Sequence, residues 1–426
     1  MSKSSGIKSF TGNFWTVILM EFFERGAYYG MMSVLSVYMV LKKTQGGLEL
    51  SYEQAGAILG TIPPLLYFLP IISGAIADKF GYRKVLFFSF ICMFAGYLLA
   101  GLADTYYTVF LSLILLAIGA GFFKPVISGS IARTTTPENS TLGFGIYYWS
   151  INLGAFLFPL ILIPFLKSIS YSYIFYSGAA VASLLFILNL FLFREPSKEQ
   201  NSRRLGEVFS DMAKVLKDWR FLLMILLYSG FWVLYFQMFG TVLWYLKEYV
   251  DMSPVSRAVN SLLSFFVDNP AWKFDVEHVT VINAGTIILL QLAVSNFVRR
   301  FPALPTMIAG IGLGTLGMAV LSISASPWIF LAGSVIFTLG EMTTHPKFIS
   351  YIGIIAPAEK KALYMGYSFL YGVIGSSIGG FLGSALYRDI VVKDGNPSLL
   401  WLIFSGIGLF SMVALTLFNR FIAKKS

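Results

Sequence analysis

Residues 74–84 read "GAIADKFGYRK", between the apolar runs "AGAILGTIPPLLYFLPIIS" (55–73) and "VLFFSFICMFAGYLLAGL" (85–102). Each run is close to the roughly 20 residues that cross a bilayer as a helix. Gly74 and Gly81 allow a tight turn, and Asp78 can sit at a helix terminus. Lys79, Arg83 and Lys84 put cations at one end of the hairpin, as expected at a cytoplasmic face. The stretch therefore reads as the inner turn of a transmembrane helical pair.

The whole chain agrees with that reading. Its 426 residues are 57% hydrophobic and 12% charged, against roughly 25% charged in soluble domains. Mean hydropathy is +0.74, and Phe (40) and Tyr (23) are abundant, as in lipid-facing surfaces. The single cysteine, Cys92, forms no intramolecular disulfide. Two histidines and no cysteine cluster argue against a metal site, so no metal or other cofactor is expected. The net charge of +10 fits basic inner loops rather than a nucleic-acid partner. The start, "MSKSSGIKSFTGN", is polar, and the apolar run beginning at Phe14 exceeds a signal h-region of about 7 to 15 residues. It reads as a first transmembrane helix with a cytoplasmic N-terminus.

Spans are expected at about 14–41, 53–77, 84–103, 107–132, 143–167, 171–193, 221–249, 279–298, 304–324, 327–355, 362–387 and 399–421. With the N-terminus inside, twenty Lys and Arg residues fall in inner loops and eight in outer ones. That bias supports the orientation and a cytoplasmic C-terminus. The remaining three cations, Arg25, Lys124 and Lys347, fall inside spans. The expected fold is an all-α membrane protein of twelve transmembrane helices in two six-helix bundles, residues 1–193 and 221–426, joined by a basic linker, 194–220. In the outer segment 251–278, "AVNSLLSFF" is expected to lie along the membrane surface.

An internal repeat divides the chain in the same way. "GAGFFKPVISG" from Gly119 and "GEMTTHPKFIS" from Gly340 are offset by 221 residues. The offset also pairs Pro125 with Pro346, Gly145 with Gly366, Gly154 with Gly375 and Lys124 with His345. Parallel halves of this kind are the pattern of major facilitator transporters.

Charges inside spans mark the candidate site, because such residues face a cavity or pair with one another. In "LMEFFERGAYYG" (19–30), helical spacing puts Glu21, Glu24, Arg25 and Tyr28 on one third of the circumference. Glu21 and Arg25 are i,i+4 partners. The three charges sum to −1, so a further cation or a proton is expected. Lys124 in the fourth span is the candidate cation, and Asn152 in the fifth offers a donor and an acceptor. In the second half, Asn283, Glu341 and His345 are the polar candidates, the last two again at i,i+4. An isolated buried glutamate is a candidate proton site.

Several of these stretches are recognisable. The loop 74–84 resembles the major facilitator signature G-x-x-x-D-(R/K)-x-G-x-(R/K)-(R/K) through Gly74, Asp78, Gly81, Arg83 and Lys84. "EFFERGAYYG" resembles the E-x-x-E-R-F-x-Y-Y-G signature of the proton-coupled oligopeptide transporter family. "FKP", "YYWSINLGA", "INAG" and "GEMTTHP…IIAP" resemble further stretches of that family, across both halves. The resemblance implies proton-driven uptake of di- and tripeptides by alternating access, with no enzymatic step and no cofactor beyond the coupling proton. It implies that Tyr28, Tyr29, Tyr67, Lys124, Asn152, Asn283 and Glu341 line a central cavity. Lys124 would hold a substrate carboxylate, and Glu341 an amino group or a proton. Glu21, Glu24, Arg25, Lys124, Glu341 and His345 would couple protonation to gating. The setting implied is the inner cell membrane, with a monomer in the lipid bilayer and a small-molecule substrate as its partner.

The chain departs from the family pattern at named positions. Gly26 replaces a phenylalanine after the arginine, and Met32 replaces an arginine. In the seventh span Phe236 stands where a glutamate precedes Gln237. His345 replaces a serine and Phe337 a tryptophan. These changes motivate an alternative, a facilitator or symporter of a non-peptide zwitterion or organic anion.

Overall fold

The computed structural model describes residues 7–136, 138–195, 206, 210, 214–357 and 360–423. Most of the linker 194–220 lies outside these residues, as do Lys3, Lys198, Arg203, Arg204, Lys424 and Lys425. The described secondary structure is helical throughout. The first half contains α1 (Gly12–Val40), α2 (Tyr52–Leu59), α3 (Ile62–Phe80), α4 (Tyr82–Leu102), α5 (Tyr106–Thr134), α6 (Ser140–Leu157), α7 (Ile163–Ile169) and α8 (Tyr171–Phe191). The second contains α9 (Trp219–Phe236), α10 (Thr241–Tyr249), α11 (Ser253–Leu263), α12 (His278–Val298), α13 (Ala303–Leu321), α14 (Pro327–Ile355), α15 (Lys361–Ser368), α16 (Leu370–Leu386) and α17 (Pro397–Phe421).

Ten helical stretches among the described residues are long and apolar enough to cross a membrane. Neither α1 nor α14 is among the ten, although each has 29 residues, about 43 Å at 1.5 Å per residue. Charged and polar side chains lower their hydropathy, and these side chains are the ones singled out above. The expected second span is broken at Gly60–Thr61, and α3 restarts with Pro63 in its first turn, where a missing amide costs nothing. The expected seventh span is broken by a 3-10 turn at Gln237–Phe239.

By internal contacts the chain forms two compact units. The first comprises Met1–Met31, Lys43–Leu48 and Thr61–Asp218; the second comprises Met32–Lys42, Glu49–Gly60 and Trp219–Ser426. Inside the first unit, α4 packs on α5 and α8, and α3 on α5. Small residues set the spacing: a Cβ on Gly119 would stand 2.7 Å from the Ser89 carbonyl oxygen, and Ser89 Oγ donates to the Gly119 carbonyl at 2.6 Å. Inside the second unit, α13 packs on α14 and α17, and α9 on α16. A Cβ on Gly340 would stand 2.7 Å from the Gly310 carbonyl oxygen.

The repeat is visible in these contacts. Helices α5 and α14 are equally long, and Pro125 and Pro346 occupy the same position within them. Gly154 lets α6 approach α1, where an added Cβ would meet the Gly26 amide nitrogen at 2.9 Å. Gly375 does the same for α16 against α9, where the Ser229 carbonyl oxygen would be 3.0 Å away.

Candidate functional site

In the first unit, α1 carries the charge cluster. Glu21, Glu24 and Arg25 are 2%, 0% and 9% exposed. Arg25 donates to both carboxylate oxygens of Glu24, through Nε and, at 2.7 Å, through Nη2. The expected i,i+4 partner, Glu21, is farther away at 3.8 Å. Tyr147 on α6 is within electrostatic reach of Glu21, and Glu21 Oε2 is buried without a hydrogen-bond partner. The Arg25 guanidinium stands 4.9 Å from the Tyr28 ring centroid and 6.0 Å from that of Tyr29, within cation–π range. Lys124 on α5 lies 5.2 Å from the Tyr67 ring and within electrostatic reach of Arg25, Glu21 and Glu24. Asn152 turns its Nδ2 back onto the Tyr148 carbonyl at 2.9 Å.

A side chain at position 26 has no room. A Cβ on Gly26 would collide with the Phe158 ring. Phe158 starts a π-helical turn, Phe158–Leu162, between α6 and α7, and its ring occupies the space that a phenylalanine at 26 would need.

The loop 74–84 is held by groups distant in sequence. Asp78 lies in the last turn of α3, where the helix dipole disfavours an anion. It accepts hydrogen bonds from Arg133 Nη2 at 2.9 Å and the Tyr82 hydroxyl at 3.2 Å. Gly81 has φ +96°, a region that suits glycine. Glu195 follows α8 and caps α4, accepting from the amides of Tyr82 and Arg83 at 2.7 and 2.8 Å. Asn189 Nδ2 donates to the Arg83 carbonyl at 3.1 Å. The sequence marked Asp78 and Gly81. It offered no sign of Arg133 or Glu195, whose partnership depends on tertiary packing.

In the second unit, Asn283 on α12 bridges two residues of α14, donating to Glu341 Oε2 at 2.8 Å and to Thr338 Oγ1 at 3.1 Å. His345 sits among aromatic rings. Its Nδ1 is 3.5 Å from the Tyr228 hydroxyl, and the Trp232 and Tyr371 centroids are 5.5 and 5.8 Å away. Lys347 turns away from this group and donates to the Phe301 carbonyl at 2.7 Å. Phe236, at the position of the missing carboxylate, stands 6.1 Å from Trp232 and 5.4 Å from Tyr235. Gln237 bridges the break in the seventh span: its Nε2 donates to the carbonyls of Val233 and Gly379 at 2.7 and 3.1 Å, and its Oε1 accepts from Thr241 at 3.0 Å. Among the described residues, no group of three or more His, Cys, Asp or Glu could hold a metal ion.

Buried charges on a membrane helix mark substrate or proton pathways, and the comparisons give the class. The Major Facilitator Superfamily profile matches residues 15–268, and the chain belongs to that superfamily. It is 31% identical over 197 residues to the uncharacterized transporter YclF of Bacillus subtilis (strain 168), 45% of this chain and 39% of that protein. It is 29% identical over 205 residues to a di-/tripeptide transporter of Lactococcus lactis subsp. lactis (strain IL1403), 44% of this chain and 40% of that protein. The chain thus matches about two fifths of the length of these relatives. A crystal structure of a POT family transporter in complex with 5-aminolevulinic acid superposes with a TM-score of 0.76 at 21% identity, covering 98% of this chain and 99% of that one. Beside the resemblance seen in "EFFERGAYYG" there stand a partial match to a di-/tripeptide transporter and a likeness in fold.

Proposed function

We propose that the chain is a secondary transporter carrying di- and tripeptides together with protons by alternating access. The reading includes twelve crossings with cytoplasmic termini, two six-helix halves at 1–193 and 221–426, and a monomer in the inner cell membrane. Catalysis, cofactors and nucleic acid have no part in it. The observation that carries it is the buried cluster on α1. Two carboxylates share one guanidinium there, and Glu21 Oε2 has no hydrogen-bond partner. A buried carboxylate oxygen without a hydrogen bond is costly, and a proton bound at that oxygen neutralises Glu21. Protonation linked to the gripping of Glu24 by Arg25 is then the coupling step. Lys124, with Tyr28, Tyr29, Tyr67 and Asn152, supplies a cation for a peptide carboxylate. Glu341, oriented by Asn283, supplies an anion for the ammonium, with His345 beside it. The loop residues Gly74, Asp78, Gly81, Arg83 and Lys84 serve gating.

The experiment is reconstitution in liposomes. Dipeptides should acidify the lumen and raise the melting temperature of the purified protein. The absence of both proton flux and thermal protection would remove the reading. A second reading, a facilitator or symporter of a non-peptide zwitterion or organic anion, is favoured by one observation: Phe236 fills the carboxylate position with an aromatic ring. Solute accumulation that survives a protonophore would support it. The related structure bound to 5-aminolevulinic acid makes that compound a natural first probe.

A further inference from the structure

Between α10 and α12 the chain leaves the spanning helices, and this segment is stapled rather than loose. Asn260 on α11 clamps Trp272 twice, donating to its carbonyl at 2.8 Å and accepting from its amide at 3.0 Å. Ser256 Oγ accepts from the Phe274 amide at 2.9 Å. Lys247 of α10 pairs with Asp275 at 3.3 Å.

What this scaffold holds outward is apolar. Val255, Val259, Leu262 and Phe266 recur at helical spacing on one face. The stripe starts buried at Val255, 5% exposed, and runs off the protein at Leu262 (65%) and Phe266 (86%). Phe265 and Val267 extend the patch, at 79% and 57% exposed. A helix packed only against its own unit would keep such a stripe covered. Beside it, Arg257 and Lys273 line a cavity of about 470 Å³ between α11 and residues 271–275. Among the described residues neither makes an ion pair or a hydrogen bond, although Asp251 is within electrostatic reach of Arg257. The segment runs directly into α12, where Leu289 and Leu292 are each 80% exposed. Lipid covers an exposed apolar face of this kind on a membrane helix, and the patch lies in the chain segment that leads into α12.

We infer that this segment is an interfacial anchor seated on anionic phospholipid. Leu262, Phe265, Phe266 and Val267 enter the boundary between headgroups and acyl chains. Arg257 and Lys273 take the headgroup phosphate. Apolar prongs flanked by cations are the composition of helices that lie in the membrane interface, and unpaired basic groups there are drawn to anionic lipid. The inference rests on α10 and α12 being membrane helices and is independent of the solute carried.

The test uses the full chain. In liposomes of phosphatidylcholine and phosphatidylglycerol, Phe266→Trp should add fluorescence that lipids brominated near the carbonyl end of their chains quench. An added signal that these lipids do not quench overturns the anchor. In detergent, phosphatidylglycerol should raise the melting temperature of the native chain, and Arg257→Gln with Lys273→Gln should at least halve that rise. An unchanged rise in the double variant overturns the headgroup assignment, and so does an equal rise with inorganic phosphate alone. Both substitutions are at exposed positions and leave the fold intact. Cross-linking between copies through Phe266→Cys in liposomes would assign the patch to a second copy instead.

Discussion

Arg25 grips both carboxylate oxygens of Glu24, its neighbour in the chain, and leaves Glu21 one turn away at 3.8 Å. Removing one partner of a buried pair costs about 3–5 kcal/mol, because the other charge stays buried alone. Arg25→Ala should therefore lower the melting temperature markedly and abolish transport. Replacing both partners, Glu24→Gln with Arg25→Gln, leaves neutral amides that can hydrogen-bond each other. That double variant should melt close to the native chain yet show no proton-driven uptake. Normal uptake by it would reduce the cluster to packing.

The repeat predicts paired outcomes for glycines. Gly154→Ala and Gly375→Ala each push a Cβ into backbone of a neighbouring helix. Overpacking of that kind costs about 1–3 kcal/mol, and the two losses should add because they share no partners. Gly145 and Gly366, also repeat-related, have nothing within 4 Å of an added Cβ. Alanine there should be neutral or stabilising by up to about 1 kcal/mol, since helical glycine is the poorer residue. Thermal melting of the four single variants and one double variant decides this.

The extents of the helices were legible because membrane crossing demands long apolar runs, and α5, α12 and α14 lie within two residues of the expected spans at both ends. The face shared by Glu21, Glu24 and Arg25 was legible from period alone. The preference of Arg25 for Glu24 was not, since it depends on side-chain rotamers and on how much room the neighbouring helices leave. Glu195 caps α4 from more than 110 residues away, a relationship that no local pattern encodes. Gly26 looked like a gap in a motif. It is explained by Phe158, which reaches that space through a π-helical turn.

Acidity should leave the interfacial segment in place. Asp251 Oδ1 accepts from the Ser253 amide at 2.9 Å, and the Ser253 side chain together with this amide bond holds its carboxyl below the usual value of 3.8. A depressed folded value means that this bond is fully formed above the unfolded carboxylate range and is lost only as pH falls through the folded one. Uptake-driving pH, near about 5 to 6, is above that window for any aspartate with an ordinary or depressed pKa. Collisional quenching of the Phe266→Trp indole by brominated lipid should be equal at about pH 7.5 and pH 5. Loss of quenching at the lower value would show that another group controls the segment.

Asn283 orients Glu341 by donating to it at 2.8 Å and to Thr338 at 3.1 Å. If Glu341 binds the peptide ammonium, the charge-assisted contact should be worth about 1.5–3 kcal/mol, roughly 10- to 100-fold in affinity. N-acetylated dipeptide should then bind the native chain that much more weakly than the free dipeptide. Glu341→Gln should remove most of this discrimination, because an amide cannot tell an ammonium from a neutral amide by charge. Asn283→Ala should narrow it less, since it leaves the carboxylate present but free to turn. Thermal-shift titrations with both ligands on all three proteins measure the ratios directly. Discrimination retained in full by Glu341→Gln would move the ammonium site elsewhere and leave Glu341 to the proton alone.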